Sequence, residues 1–234
     1  MHNGNHAIYF NNKRHGDDNY LVKFLGGDSV LDAVFDGVST GIKGSIASKL
    51  TKDRLRDASR IRGPDDVKKL LESAHKALFE RYKGRCTTTV AVGLKIGDKY
   101  YVVNVGDSPV YLFRDGKAEE IVTLDKFPNN LRPDIVLQVI GKKGETGKTP
   151  AEIEYHTREI DLQPEDRIIL ATDGVTDNAS PDEFNWLVDG VPNSALAVVC
   201  LEKLLQDKRH KDEGFVFGDF KRDDQTAIAR FFRD

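Results

Sequence analysis

Residues 87–124 read TTTVAVGLKIGDKYYVVNVGDSPVYLFRDGKAEEIVTL. Apolar runs of strand length alternate here with tight-turn signals. Gly97-Asp98 and Asp115-Gly116 each fall between two such runs, and Gly/Asp pairs tolerate the positive φ that a short hairpin turn demands. The stretch therefore predicts an antiparallel meander over 88–123. Outward from it lie further strand-like runs: HAIYF (6–10), NYLVKFL (19–25), SVLDAVF (29–35), AEIEYHTREIDL (151–162), DRIILAT (166–172) and QTAIARFF (225–232).

Helical patterns interrupt these runs. GPDDVKKLLESAHKALFERYKG (63–84) has Pro64 at a first helical position, Asp65 and Asp66 at the positive end, and Gly84 as a stop. Val67, Leu70, Leu71, Ala74, Leu78 and Tyr82 recur at helical spacing. His75 lies beside Leu71 and Leu78 and reads as a packed structural histidine. Residues 41–59 and 194–206 give two more helices. The result is an α+β order whose antiparallel strands form one or two sheets with helices on their outer faces.

Composition narrows the function. The 234 residues carry 35 Lys+Arg against 38 Asp+Glu, a net charge of −3. Nothing in that balance suggests bulk attraction to nucleic acid or anionic lipid. The length suits one domain with a core that needs no cross-links. Cys86 and Cys200 are too few for a disulfide framework and lack the spacing of a zinc site, and Cys86 reads as core packing. MHNGNHAIYF does not resemble a signal peptide, and no window approaches a membrane span. A cytoplasmic monomer is expected.

Acids recur at the ends of the apolar strands. Asp36-Gly37 follows AVF, Gly106-Asp107 follows YVVNV, and Asp173-Gly174 follows IILAT, with Asp177 four residues later. Asp17-Asp18 and Asp223-Asp224 immediately precede strands. Five acid groups at strand rims can converge on one edge, and the glycines permit close backbone approach. Such a cluster needs protons or cations to offset its repulsion. Oxygen-only donors without His or Cys select Mg²⁺ or Mn²⁺, and two such ions can activate a water and hold a phosphate.

The blocks AVFDGVSTG (33–41), CTTTVAV (86–92), YYVVNVGDSPVYLFRDGK (100–117), RIILATDGVTDN (167–178) and RDDQTAIA (222–229) resemble, in order and along almost the whole chain, the motifs of the metal-dependent protein serine/threonine phosphatases of the protein phosphatase 2C type. The resemblance implies a four-layer α-β-β-α sandwich of two antiparallel sheets, with two Mn²⁺ or Mg²⁺ ions at one end. It implies that Asp36 bridges the ions, that the Gly37 carbonyl binds one, and that Asp173 and Asp223 complete the other site. Asp107 and Asp177, with Asp173, correspond to a third, weaker metal site. Asp18, with Asp17, corresponds to an acidic pair that holds metal-bound waters. Arg14 is the candidate for the substrate phosphate, with Lys13 as alternate. Asp223 is favoured over Asp224 as the aligned ligand.

The implied activity is hydrolysis of phosphoserine and phosphothreonine monoesters on proteins by a metal-activated water, opposing a serine/threonine kinase. The alternative is a weak or inactive domain of the same fold that binds phosphoprotein or metal as a regulator. The intact set Asp36, Asp107, Asp173 and Asp223 favours the enzyme. Three positions depart from the family pattern. Val38 stands where animal members often carry a histidine, and His15 and His156 are not placed well enough to replace it. Pro109 replaces the arginine of a Gly-Asp-Ser-Arg motif. The flap region, about 125–150 of a single 1–234 domain, is short, with Asp125-Lys126 where Asp-His is frequent. Within it GKKGETGKT (141–149) lacks the spacing and context of a phosphate-binding loop and reads as exposed.

Overall fold

The computed structural model describes residues 4–38, 44–126, 136–212 and 220–233. Along the chain come β1 (Asn5–Asn11), β2 (Asn19–Gly26), β3 (Ser29–Phe35), α1 (Gly44–Asp57), α2 (Pro64–Tyr82), β4 (Val90–Ile96), β5 (Lys99–Val105), β6 (Val110–Arg114), β7 (Lys117–Glu120), β8 (His156–Asp161), β9 (Arg167–Ala171), α3 (Asp173–Thr176), α4 (Pro181–Asp189), α5 (Ser194–Asp212) and β10 (Gln225–Phe231). The strands form two five-stranded antiparallel sheets, ordered β1-β10-β9-β6-β7 and β2-β3-β4-β5-β8.

Side-chain alternation along each strand builds four layers. On β9, Ile168 and Leu170 join Val110, Leu112 and Ile228 between the sheets. Ile169 and Ala171 point the other way, into a cluster with Phe184 of α4 and Leu201 and Leu205 of α5. On β3, Leu31, Ala33 and Phe35 meet Ala47 and Leu55 of α1 and Leu71, Ala74 and Leu78 of α2. Strands covered on both faces read as unbroken apolar runs, which is why IIL and AVF stand out in the sequence. Each fully buried side chain of this kind contributes about 1.5–3 kcal/mol.

The inner layer also holds charge. Asp32 of β3 and Arg230 of β10 face each other across the two sheets and are both fully buried. Their contact is bidentate, with Nε to Oδ2 at 2.5 Å and Nη2 to Oδ1 at 2.7 Å. Gly93 leaves room beside them for Tyr100, whose hydroxyl would lie only 1.9 Å from a Cβ at that position.

The two predicted hairpins are present, but they do not form one meander. β4 and β5 belong to one sheet and β6 and β7 to the other. The chain crosses between sheets at Gly106–Pro109, where Gly106 takes φ 107° and packs against Thr89. Asp115 and Gly116 both adopt positive φ, as their turn requires. The helix expected over 41–59 spans Gly44–Asp57 among the described residues; 41–43 lie outside them. The run 151–162 is a strand only at His156–Asp161, and α5 continues to Asp212. α4 was not anticipated, although Ser180 and Glu183 form a reciprocal capping box at its start. His75 is structural, as expected: its Nδ1 accepts from the Gly141 N–H at 2.9 Å and its Nε2 donates to the Ala151 carbonyl at 3.0 Å. Among the described residues no helix is long and apolar enough to cross a membrane.

Candidate metal centre

Strand register brings the acids to one end of the sandwich. Asn19 pairs with Phe35, so Asp18 and Asp36 flank the same edge of the β2–β3 pair. Ala227 pairs with Ala171, which places the start of β10, after Asp223, beside the end of β9, before Asp173. Val90 pairs with Val105, which sends Gly106-Asp107 to that same edge through β3 and β4. Each strand is a rigid post, so the carboxylates have little conformational freedom left to lose.

Close packing at glycine lets the posts approach. A Cβ on Gly174 would lie 2.0 Å from the Asp224 carbonyl and 3.1 Å from Asp223 Cβ. Gly37 and Gly44 press backbone to backbone, with a Cβ on Gly37 only 2.4 Å from the Gly44 carbonyl carbon. Asp177 returns to the rim one turn after Asp173, its N–H donating to the Asp173 carbonyl at 2.7 Å.

The acids differ in what they touch. Asp18 is buried, and its Oδ2 accepts from Thr172 Oγ1 at 2.9 Å and from Thr226 Oγ1 at 2.7 Å. The Thr226 N–H in turn donates to Thr172 Oγ1 at 3.0 Å. Asp224 is buried and tied to the loop before β2: Oδ1 accepts the Arg14 and His15 N–H groups, and Oδ2 accepts the Asp17 N–H, at 2.9–3.0 Å. It therefore anchors the 12–18 loop. Asp17 accepts the Ser45 N–H at 2.8 Å, tying that loop to the start of α1. Asp107 Oδ1 and Asp173 Oδ1 are buried without a hydrogen-bond partner.

Electrostatics follow from this crowding. Burial, then the charges of Asp173 and Asp18, holds Asp36 well above the usual carboxylate range, and Asp107 adds to the effect. Burial likewise raises Asp18 well above that range against the opposing Thr226 and Thr172 hydroxyls, with Asp224 and Asp173 reinforcing it. Burial and Asp173 push Asp107 up to about 7, although Lys126 and Lys221 oppose the change. Asp223 is raised by burial and by Asp173. Lysines also enter the group. Lys221 Nζ contacts Asp173 Oδ2, lies 3.1 Å from Asp177 Oδ2 and 3.7 Å from Asp223 Oδ2. Burial disfavours its charged form, but Asp173 and Asp177 outweigh burial and hold its pKa high.

No three described His, Cys, Asp or Glu side chains enclose an ion position as they stand. The donor set nonetheless suits hard divalent cations: it is all oxygen, mutually repelling, and includes two buried oxygens that nothing satisfies.

A family model described as Stage II sporulation protein E (SpoIIE) matches residues 26–229. The chain belongs to the SpoIIE family. A SpoIIE-family match over this span takes in the acidic blocks from Asp36 to Asp223. The chain is 28% identical over 193 residues to protein phosphatase 2C homolog 7, mitochondrial, of Saccharomyces cerevisiae, covering 72% of this chain and 55% of the yeast protein, little more than half its length. The fold is that of a bacterial serine phosphatase crystal structure at TM-score 0.80, with 17% identity and 99% of both chains covered. It also matches the catalytic domain of the serine/threonine protein phosphatase PstP, solved with two manganese ions, at TM-score 0.74 and 19% identity over 97% of this chain and 98% of that one. The resemblance to the protein phosphatase 2C type and the α-β-β-α sandwich are both borne out.

Within this SpoIIE-family chain Asp18, Asp36, Asp107, Asp173 and Asp223 gather as the sequence implied. Asp223 turns Oδ2 towards Lys221, whereas both Asp224 oxygens accept loop N–H groups. Asp177 joins the rim through the lysines. Lys13 and Arg14 are exposed on the loop that Asp224 anchors. His15 approaches Asp223 Oδ1 to 4.0 Å. His156 instead pairs with Asp125 at 2.8 Å, and Asp125 Oδ2 accepts the Gly106 N–H at 2.9 Å, bracing the turn that carries Asp107. Thr172, Thr226, Lys126 and Lys221 were missed. The threonines carried a signal, since each lies within three residues of a proposed ligand in a motif already singled out.

Proposed function

We propose that this chain is a metal-dependent protein phosphatase that hydrolyses phosphoserine and phosphothreonine monoesters, with two Mn²⁺ or Mg²⁺ ions held by the acidic cluster. The observation that carries the reading is the convergence of Asp18, Asp36, Asp107, Asp173 and Asp223 around the buried, unsatisfied Oδ1 atoms of Asp107 and Asp173. Asp36, the Gly37 carbonyl, Asp173 and Asp223 would hold the ions, and Asp18 would orient water through its remaining oxygen. When bound, the ions supply Lewis-acid activation of a water and offset charge on the phosphoryl oxygens. The chain's own part is positional. Thr172 and Thr226 fix Asp18, Gly174 admits Asp223, and the Asp224 anchor presents the Lys13-Arg14 loop, from which Arg14 or Lys13 would grip the phosphate.

The family match and the fold support a phosphoprotein substrate, an opposing serine/threonine kinase and a single catalytic domain over 1–234 with a short flap. The two cysteines, too few for a disulfide framework, support a cytoplasmic location, where the chain would act as a monomer. The deciding experiment measures phosphate release from a phosphothreonine peptide with Mn²⁺ and with excess EDTA. Release that needs Mn²⁺ and is lost in Asp173→Asn is the expected result. A folded, Mn²⁺-binding protein that releases nothing would instead be a regulator that binds phosphoprotein or metal.

A further inference from the structure

Asp177 has both carboxylate oxygens committed to lysines. Lys126 Nζ lies 3.5 Å from its Oδ1, and Lys221 Nζ lies 3.1 Å from its Oδ2. Asp173 is divided: Oδ2 contacts Lys221, while Oδ1 is buried and unsatisfied. Asp223 also divides its oxygens, Oδ1 accepting the Asp224 N–H at 2.8 Å and Oδ2 turned to Lys221. The two ammonium groups therefore lie on the Asp173–Asp177 side of the cluster, close enough to Asp107 to oppose the rise of its carboxyl pKa.

We propose that Lys126 and Lys221 are built-in cations that take the place of a third metal ion on the Asp107–Asp173–Asp177 face, so that this chain binds two divalent ions and excludes a third. The inference rests on the two-ion reading above. Charge supports it. Asp18, Asp36, Asp107, Asp173, Asp177 and Asp223 carry six negative charges when ionised. Two divalent ions offset four, and the two ammonium groups offset the other two. A third divalent ion would have to displace Lys221 from three carboxylates and sit beside Lys126, and like charges a few ångströms apart in a poorly solvated site repel strongly. A lysine differs from an ion in two further ways: it cannot dissociate, and it offers N–H donors to an incoming phosphate oxygen. The rim therefore keeps its positive charge at metal concentrations too low to fill a weak third site.

The test is Mn²⁺ binding to the metal-stripped full-length protein, followed by calorimetry and by electron paramagnetic resonance of the free ion. Wild type is expected to bind two ions and no third. Lys221→Ser, and Lys221→Ser with Lys126→Ala, are expected to take up a third ion, or to bind their weakest ion about tenfold tighter or more, as removal of a neighbouring charge predicts. Lys221→Arg keeps the charge and is expected to stay at two; its circular dichroism, with that of the serine variant, checks folding. Three ions on wild type, or two ions of unchanged affinity on both lysine variants, would overturn the proposal and leave the two-ion reading standing. No binding to wild type would remove the two-ion reading, and this inference with it.

Discussion

Replacing Asp107 by asparagine should stabilise the metal-free protein, and by an amount that grows with pH. Asp107 is 2% exposed, and one of its oxygens has no hydrogen-bond partner. Burial and the neighbouring Asp173 charge move its carboxyl from an ordinary 3.8 to about 7. In the unfolded chain the group ionises near 3.8 without penalty; in the folded chain it must stay neutral until near 7. An acid raised in this way favours the folded state at low pH, and that contribution is lost as pH rises towards 7. At about 1.4 kcal/mol per pH unit, the cost of holding Asp107 is about 1.5 kcal/mol at pH 5 and about 4 kcal/mol at pH 8. Asparagine has nearly the same shape and no charge to desolvate. Urea denaturation in EDTA at the two pH values measures the difference. With an m-value of about 3 kcal/mol/M for a chain of this size, the midpoint at pH 8 should rise by about 1.3 M. A gain that does not depend on pH, or no gain at pH 8, would refute the electrostatic account of the cluster.

Other consequences are equally specific. Arg230→Met leaves Asp32 buried without its partner and should cost about 3–5 kcal/mol, whereas adding Asp32→Leu should recover most of it; a double-mutant cycle in urea measures both. Thr226→Val removes one of the two hydroxyls that fix Asp18 and should weaken Mn²⁺ binding about 10–100-fold in a calorimetric titration, with the fold intact. Burial lowers the pKa of His75, whose neutral Nδ1 accepts the Gly141 N–H. Its contribution is therefore held above the unfolded value near 6.5 and lost as pH falls below it; amide exchange at Gly141, corrected for intrinsic rate, should accelerate between pH 7 and 5.

What could be read from the chain divides by distance along it. Asp36-Gly37, Gly106-Asp107 and Asp173-Gly174 are local statements: an apolar run, an acid, and a residue small enough to turn. Antiparallel pairing carries such statements to one edge, so the members of the cluster were legible before any packing was known. The sheet that a hairpin joins is not local. GDSP between β5 and β6 has the letters of a turn within a meander, yet Gly106 and Pro109 carry the chain from one sheet to the other because the inner core needs Val110 and Leu112 opposite Val34 and Ala91. Arg230 was hidden for a similar reason. In QTAIARFF it looks like an edge charge, and only the facing Asp32, some two hundred residues away in sequence, gives it a buried place. The lysines show where a motif reading stops. A motif marks the groups that gather negative charge; what offsets that charge can come from any segment that reaches the rim. Lys221 lies two residues before Asp223 and Lys126 beside Asp125, and each reads alone as a solvated loop charge. Placed together against Asp177, they offset charge on the acidic face, and the third-ion proposal makes metal stoichiometry depend on two residues outside the carboxylate set.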